Sequence, residues 1–250
     1  MRVEERGILY FATGAKYVAE AAASAHSAKK LMPAVPIALV TDEAAAPAPF
    51  DRTITIPGGE YPLLAKVKSL RLTPFRRTVF LDSDTHVARP IEELFDLLDA
   101  FDIAAAHAPL RLSTFRFKEQ EIFLGGVPTC FPEYNTGVVA YRADAGVLKA
   151  LASWAVLYQR QLAGPLKPWT WDQLSFRETI YKSGLKLATL SNEYNYRLPF
   201  PQVTCGPVKI LHGRSPDIAK ILQQINQHRR YRVTVPARFR SVAMFIGDSE

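Results

Sequence analysis

The stretch Thr78-Val79-Phe80-Leu81-Asp82-Ser83-Asp84 decides how this chain is read: an apolar run ends abruptly in two carboxylates. The run predicts a buried strand. The acids then stand at its C-terminal mouth, where open α/β sheets bind ligands. Two carboxylates one residue apart can share a hard divalent cation, directly or through water, and such a cation commonly bridges to substrate phosphates. The expectation is a metal-held diphosphate. The plainer alternative is an Asp pair that closes a turn or caps a helix beginning near Pro90.

The segments around this strand alternate. Residues 8–13 form an apolar run that reads as a first buried strand, followed by a turn at Gly14 and an Ala-rich helix to about Leu31. Pro33 and Pro36 break that helix, and 37–40 reads as a second strand ending at Thr41-Asp42-Glu43. A short strand at 53–56 and a helix over 61–72 precede the Asp-bearing strand at 78–81. Beyond it the pattern predicts a helix at 91–101, strands at 103–106 and 137–141, and an irregular segment over 108–134. Helices at 144–161 and 172–183, strands at 185–190 and 208–211, and a last helix at 217–227 complete the reading. The polar, aromatic run Asn192-Glu193-Tyr194-Asn195-Tyr196-Arg197 reads as a loop near the cleft with no assigned role. This order predicts an α/β fold with a mostly parallel sheet.

With 250 residues and 48% hydrophobic content, the chain can bury a sizeable core. The expected division is one domain over 1–227 and a basic extension over 228–250. No stretch is long and apolar enough to span a membrane. Lys16 and Glu20 interrupt the apolar stretch after Gly7, so the N-terminus does not read as a signal peptide and a cytoplasmic location is expected. Cys130 and Cys205 lack metal-type spacing and read as ordinary thiols. The net charge of +7 suggests anionic partners. No nucleic-acid-reading motif accompanies it, so phosphates are preferred over nucleic acid.

Several segments together resemble one family. The stretch from Leu64-Ala65-Lys66 to Asp82-Ser83-Asp84-Thr85, then Asn135-Thr136-Gly137-Val138, Trp171-Asp172-Gln173 and Leu211-His212-Gly213, follow one another in order. In this the chain resembles nucleotide-sugar transferases of the GT-A fold, closest to glycosyltransferase family 8 (glycogenin and bacterial lipopolysaccharide glycosyltransferases). The resemblance spans residues 8 to about 215. It implies a mixed, mostly parallel sheet flanked by helices, and a metal-dependent, retaining transfer from a nucleoside diphosphate sugar, most readily UDP-linked. Asp82, Asp84 and His212 are then the metal ligands, and a mixed Asp/His set suits Mn²⁺ better than Mg²⁺. Ser83 and Lys66 would face the donor, and Ala12, Thr13 and Tyr17 would form its base- and ribose-binding turn. Gly14 would allow close backbone approach, and Asp42 ends the second strand at the same edge, where it caps the turn or faces the ligand. Asn135, Asp172 and Gln173 would surround the transferred sugar. Asp172 also reads as the N-cap of the helix it precedes, Asn135-Thr136-Gly137 also as a turn, and Lys66 and Tyr17 also as ordinary helix residues. After His212 the chain reads Gly213-Arg214-Ser215-Pro216-Asp217. It lacks the family's lysine that clamps the diphosphate, and Arg214, with bidentate phosphate geometry, is the expected substitute.

Two other classes compete. A haloacid-dehalogenase-type phosphatase also places Asp-x-Asp at a strand end, and Ile246-Gly247-Asp248-Ser249 echoes its late acidic motif. His86, however, stands where that motif wants Thr or Val. A catalytically inactive sugar-nucleotide-binding protein is the other, because a fold does not imply turnover. The expected acceptor is a glycan, lipid-linked or protein hydroxyl. The basic run at 228–240 reads either as a solvated terminal segment or as a peripheral contact with an anionic membrane.

Overall fold

A computed structural model of the chain describes residues 4–44, 47–109, 125–164, 171–227 and 231–234. The helices are α1 (Ala15–Leu31), α2 (Pro62–Ser69), α3 (Glu93–Leu97), α4 (Ala145–Ala163), α5 (Gln173–Ser183) and α6 (Ile218–Ile225). The strands are β1 (Glu4–Phe11), β2 (Ile37–Thr41), β3 (Arg52–Thr55), β4 (Phe75–Leu81), β5 (Thr85–Val87), β6 (Ile103–His107), β7 (Tyr134–Arg142) and β8 (Leu187–Leu190), followed by β9 (Tyr196–Arg197), β10 (Gln202–Thr204), β11 (Ile210–His212) and β12 (Arg232–Thr234).

Seven strands form the central sheet in the order β3-β2-β1-β4-β7-β6-β8. β7 alone runs against its neighbours β4 and β6, and the remaining pairs are parallel. The fold is therefore the mixed, mostly parallel α/β class that the sequence predicts. β1 alternates between two cores. Ile8 and Tyr10 face the layer that includes Val18, Ala21 and Ala25 of α1. Leu9 and Phe11 face the layer that includes Leu64 of α2, Trp154 of α4 and Phe176 of α5. A strand covered on both faces reads as a continuous apolar run, which is why 8–11 and 78–81 stand out in the sequence.

The chain doubles back from β4 into a second, three-stranded sheet of order β5-β11-β9. β5 has no apolar run to announce it. Its place is set by α1: Ser27 Oγ accepts from Val87 N at 2.9 Å, and Ser24 Oγ lies 2.8 Å from Thr85 Oγ1. The run at 192–197, expected as a loop, forms a 3-10 turn at Asn192–Tyr194 and then β9, because β11 offers Tyr196 and Arg197 a parallel edge. The helix expected at 91–101 is regular only over Glu93–Leu97. Its flanks are irregular turns, mostly i→i−3, such as Leu94 N to Ile91 O and Asp99 N to Asp96 O. The helix expected over 61–72 tightens at its end into a 3-10 turn at Leu70–Leu72.

Of the irregular segment at 108–134, residues 110–124 lie outside the described residues. Its end is pinned by Arg177 of α5. This buried guanidinium donates to the carbonyls of Phe131 at 2.7 Å and Pro128 at 2.5 Å. Cys130 and Cys205 are exposed and not joined in a disulfide. Val203 pairs with Val233, so β12 continues the chain onto β10, while the rest of the basic run at 228–240 and Ile246–Ser249 lie outside the described residues. Among the described residues, no helix is long and apolar enough to cross a membrane.

Trp154 joins this architecture to the cleft described below. It is fully buried, packs on Phe176 with ring centroids 4.6 Å apart, and donates Nε1–H to the carbonyl of Asp172 at 3.2 Å. Trp154→Ala leaves a large void and removes one of the donors to that carbonyl, so it is expected to lower the unfolding free energy by about 3–5 kcal/mol in urea denaturation. A loss below about 1 kcal/mol would contradict this packing role.

Candidate functional site

The antiparallel β4–β7 pair creates the site. β7 begins where β4 ends, so Leu81 stands opposite Val138 and Asp82 N donates to Gly137 O at 2.8 Å. Asn135, Thr136 and Gly137, distant in sequence, therefore meet Asp82. The chain turns at Ser83, and Thr85 closes the turn through Oγ1 and its backbone N–H on Asp82 O. The Asp pair thus does sit in a turn. Its carboxylates neither close it nor cap a helix; both face β11.

β11 lies between β5 and β9 with His212 opposite Thr85 on one side and Arg197 on the other. This register brings His212 Nε2 to 3.3 Å from Asp84 Oδ1 and 3.7 Å from Asp82 Oδ2. One ligand atom from each of the three side chains lies within 4.8 Å of the others. The imidazole is 2% exposed and lies over Gly137. A Cβ built at Gly137 would stand 1.9 Å from His212 Cε1. Position 137 must therefore be glycine for steric reasons, not for its backbone angles.

A line of side-chain amides fixes the orientation of the ring. The backbone N–H of Gly137 donates to Asn135 Oδ1 at 3.1 Å, which sets that amide. Asn135 Nδ2 donates to Gln173 Oε1 at 2.7 Å, and Asn195 Nδ2 donates to Asn135 Oδ1 at 2.8 Å. Asn195 must then present Oδ1 to His212, and it lies 2.7 Å from Nδ1. A carbonyl oxygen there requires a proton on Nδ1, and burial depresses the imidazole pKa, helped by the charge of Arg197. The neutral ring carries its proton on Nδ1 and turns the Nε2 lone pair toward the two carboxylates. Three Lewis bases converging on one point fit a cation, and a partner on the far ring nitrogen is the usual support of a metal-binding histidine. Burial by itself would raise the Asp84 carboxyl, but the Nε2–H and charge of His212 when that ring is protonated, with the charges of Arg214 and Arg197, outweigh it and hold it well below the usual range. Asp84 is thus available as an anionic ligand at neutral pH.

Beside this cluster lies a cleft of about 210 Å³ whose lining includes Lys66, Asp82, Asn135, Asp172, Gln173 and Arg197. Lys66 reaches in from α2, with Nζ 2.9 Å from Asp82 Oδ1 and 3.4 Å from Asp172 Oδ2. Burial opposes its charge, but Asp172 and Asp82 more than offset that, and its pKa stands above the ordinary lysine value. Asp172 occupies the N-cap position of α5 but makes no side-chain cap bond, which corrects the capping expectation. The carboxylate instead turns inward: Oδ1 accepts from Thr136 Oγ1 at 2.9 Å, and buried Oδ2 has the Lys66 ion pair but no hydrogen bond among the described residues. A polar ligand group in the cleft would supply the missing donor.

The remaining expected residues lie around the rim. Buried Ala12 directly follows β1, with Thr13 next to it, and Gly14, at φ +75°, donates its N–H to Asp42 Oδ1 at 2.8 Å. Asp42 thus ties the β1 and β2 ends together. Tyr17 is half exposed, with the Arg214 guanidinium 5.7 Å from its ring centroid. Ser83 Oγ donates to Glu20 at 2.6 Å, and Arg214 makes a paired contact with the same carboxylate at 2.7 and 2.8 Å while lying 3.5 Å from Asp84. Asn195, Arg197 and Glu20 are the site residues that sequence reasoning missed. Only the polar character of 192–197 could have pointed to the first two.

No protein-family model and no curated protein matches this sequence. Solved structures do match. The bifunctional glycosyltransferase WbbM shares 14% identity at a TM-score of 0.59, over 85% of this chain and 46% of that one. Mouse xyloside xylosyltransferase 1 shares 16% identity at a TM-score of 0.55, over 84% of this chain and 98% of that one. The glycosyltransferase GlyE of Streptococcus pneumoniae shares 14% identity at a TM-score of 0.60, over 90% of this chain and 61% of that one. The chain spans less than two thirds of WbbM and of GlyE. Similarity at this level establishes the fold, and it is the GT-A architecture expected above.

Gly137→Ala tests the steric account. The methyl group expels the His212 ring, so affinity for Mn²⁺, read from the EPR signal of the free ion, is expected to fall about tenfold or more with the far-UV circular dichroism unchanged. Unaltered affinity would contradict it.

Proposed function

We propose that this chain is a metal-dependent retaining glycosyltransferase of the hexosyl type. It would move a sugar from a nucleoside diphosphate donor, most readily a UDP-sugar, to a hydroxyl of a glycan, lipid-linked or protein acceptor. One observation carries the reading: Asp82, Asp84 and the His212 Nε2 lone pair converge at the carboxyl end of the sheet, directly beside a cleft holding the buried carboxylate of Asp172. The fold shared with three glycosyltransferases supports it.

The donor set suits Mn²⁺ better than Mg²⁺, since imidazole joins two carboxylates. Bound there, the ion would act as a Lewis acid that neutralises the charge growing on the departing diphosphate. The chain's own residues do the rest. Asp82, already shared with Lys66, holds the near edge of the site. Lys66 fixes Asp172 in place by lying between the two acids. Asp172 Oδ2 and the Gln173 amide orient the sugar hydroxyls and favour positive charge at the anomeric carbon. Asn135 keeps the Gln173 side chain in place. At the other end of the donor, the Ala12–Gly14 turn approaches the ribose, and the exposed Tyr17 ring stacks on the base.

In the step itself, the bond between the anomeric carbon and the phosphate oxygen breaks while a bond to the acceptor oxygen forms on the same face. The acceptor proton passes to the departing phosphate oxygen, so charge and atoms balance. No side chain of the cleft is needed as a covalent nucleophile. The basic extension after 227 would hold the protein near an anionic surface if the acceptor is lipid-linked.

A thermal-shift panel of nucleotide sugars with and without Mn²⁺ tests this reading. A matching donor at about one hundred times its dissociation constant should stabilise the fold by about 2.7 kcal/mol, and only with the ion present. Asp84→Asn should abolish the Mn²⁺-dependent part. Absence of an ion-dependent shift with every donor would overturn the proposal, and hydrolysis of p-nitrophenyl phosphate would redirect it to a phosphatase.

A further inference from the structure

Arg197 has no place in the chemistry above, yet it lies at its centre. β9 and β11 run parallel with Arg197 beside His212. Its Nη1 stands 2.9 Å from His212 Nε2 and 3.1 Å from Nδ1, so the guanidinium lies against the ring between its two nitrogens and not on either lone-pair axis. It therefore places a positive charge directly beside the point where Nε2 and the acid pair converge. The guanidinium lines the same cleft as Lys66 and Asp172, and its Nε is buried without a hydrogen-bond partner among the described residues. Burial opposes its charge while Asp84 and Asp82 support it. Arginine does not escape this by losing its proton, since its pKa is too high.

A guanidinium and a divalent ion that share the same acids and the same ring repel one another. Entry of a divalent ion between Asp82, Asp84 and His212 must therefore push the guanidinium off the ring. The same entry withdraws the two carboxylates that balance the guanidinium. A buried fork of N–H donors is then left facing the cleft without a counter-charge, and phosphate oxygens match that fork in charge and in planar geometry.

We propose that Arg197 is a placeholder cation that couples metal and diphosphate binding. Without the divalent ion it lies against the His212 ring and offsets the acid pair. With the ion in place it turns its guanidinium onto the diphosphate oxygens. This rests on the metal reading given above and adds to it a binding residue and a cause of cooperativity. The two ligands should each bind weakly alone and help one another through one side chain. It adds a second guanidinium to the clamp expected of Arg214, which is paired with Glu20 and lies 3.5 Å from Asp84.

The test uses Arg197→Met, which keeps the length and removes the charge, and Arg197→Lys, which keeps the charge and removes the fork. Mn²⁺ alone is titrated by EPR, and UDP is titrated by calorimetry in saturating Mn²⁺. Arg197→Met should bind Mn²⁺ alone more tightly than the natural chain, because its competitor is gone. It should bind UDP about tenfold more weakly or worse, the loss expected for a charge-assisted pair. Arg197→Lys should keep the natural Mn²⁺ affinity and still lose UDP affinity. The opposite signs separate this coupling from simple damage to the fold, which would weaken both ligands. Equal or weaker Mn²⁺ binding by Arg197→Met, or unchanged UDP binding by both variants, would overturn the inference while leaving the metal reading intact. Failure of the natural chain to bind Mn²⁺ would remove the metal reading first and this inference with it.

Discussion

The His212 imidazole fills the space that any side chain at position 137 would need, and the rest of the site depends on that contact. It ties three elements together at once. β7 supplies the bare backbone at Gly137, β11 supplies the ring, and the turn after β4 supplies the acids that the ring faces. Asn195 then decides which ring nitrogen holds the proton. A steric fit and one hydrogen bond together turn an ordinary buried histidine into a directed lone pair.

Charge balance explains the composition of the cleft. Asp82, Asp84 and Asp172 place three carboxylates near one another, an arrangement that would repel itself in a partly dehydrated site. Lys66 neutralises Asp82 and Asp172 from within the cleft. Arg197 approaches the acid pair from β9, and Arg214 approaches Asp84 from the rim. The cations are unequal. Lys66 is locked between two acids and holds the cleft together, whereas Arg197 lies against the His212 ring and retains an unused donor. That difference separates a structural charge from one that can move.

The inner strands of the central sheet were legible in the sequence because they are covered on both faces and so appear as apolar runs. The Asp pair was legible because it interrupts one of those runs. β5 and β9 were not, since each is too short to show a period and exists only because α1 or β11 offers it partners. The same holds for side chains. Asp172 has the residue type and position of a helix cap, and only the tertiary placement of Lys66 and Thr136 turns it inward. Glu20 looks like a solvated helix residue in the sequence. Its contacts with Ser83 and Arg214 arise because the β5 turn packs against α1.

The central claim is that three side chains from two distant segments hold one divalent ion. Anomalous diffraction from crystals of the natural chain grown with Mn²⁺ tests it most directly. The account predicts a single strong peak bounded by Asp82, Asp84 and Nε2 of His212, at ligand distances. A peak bounded by the carboxylates alone with Nε2 turned away, or no peak between them, would contradict it.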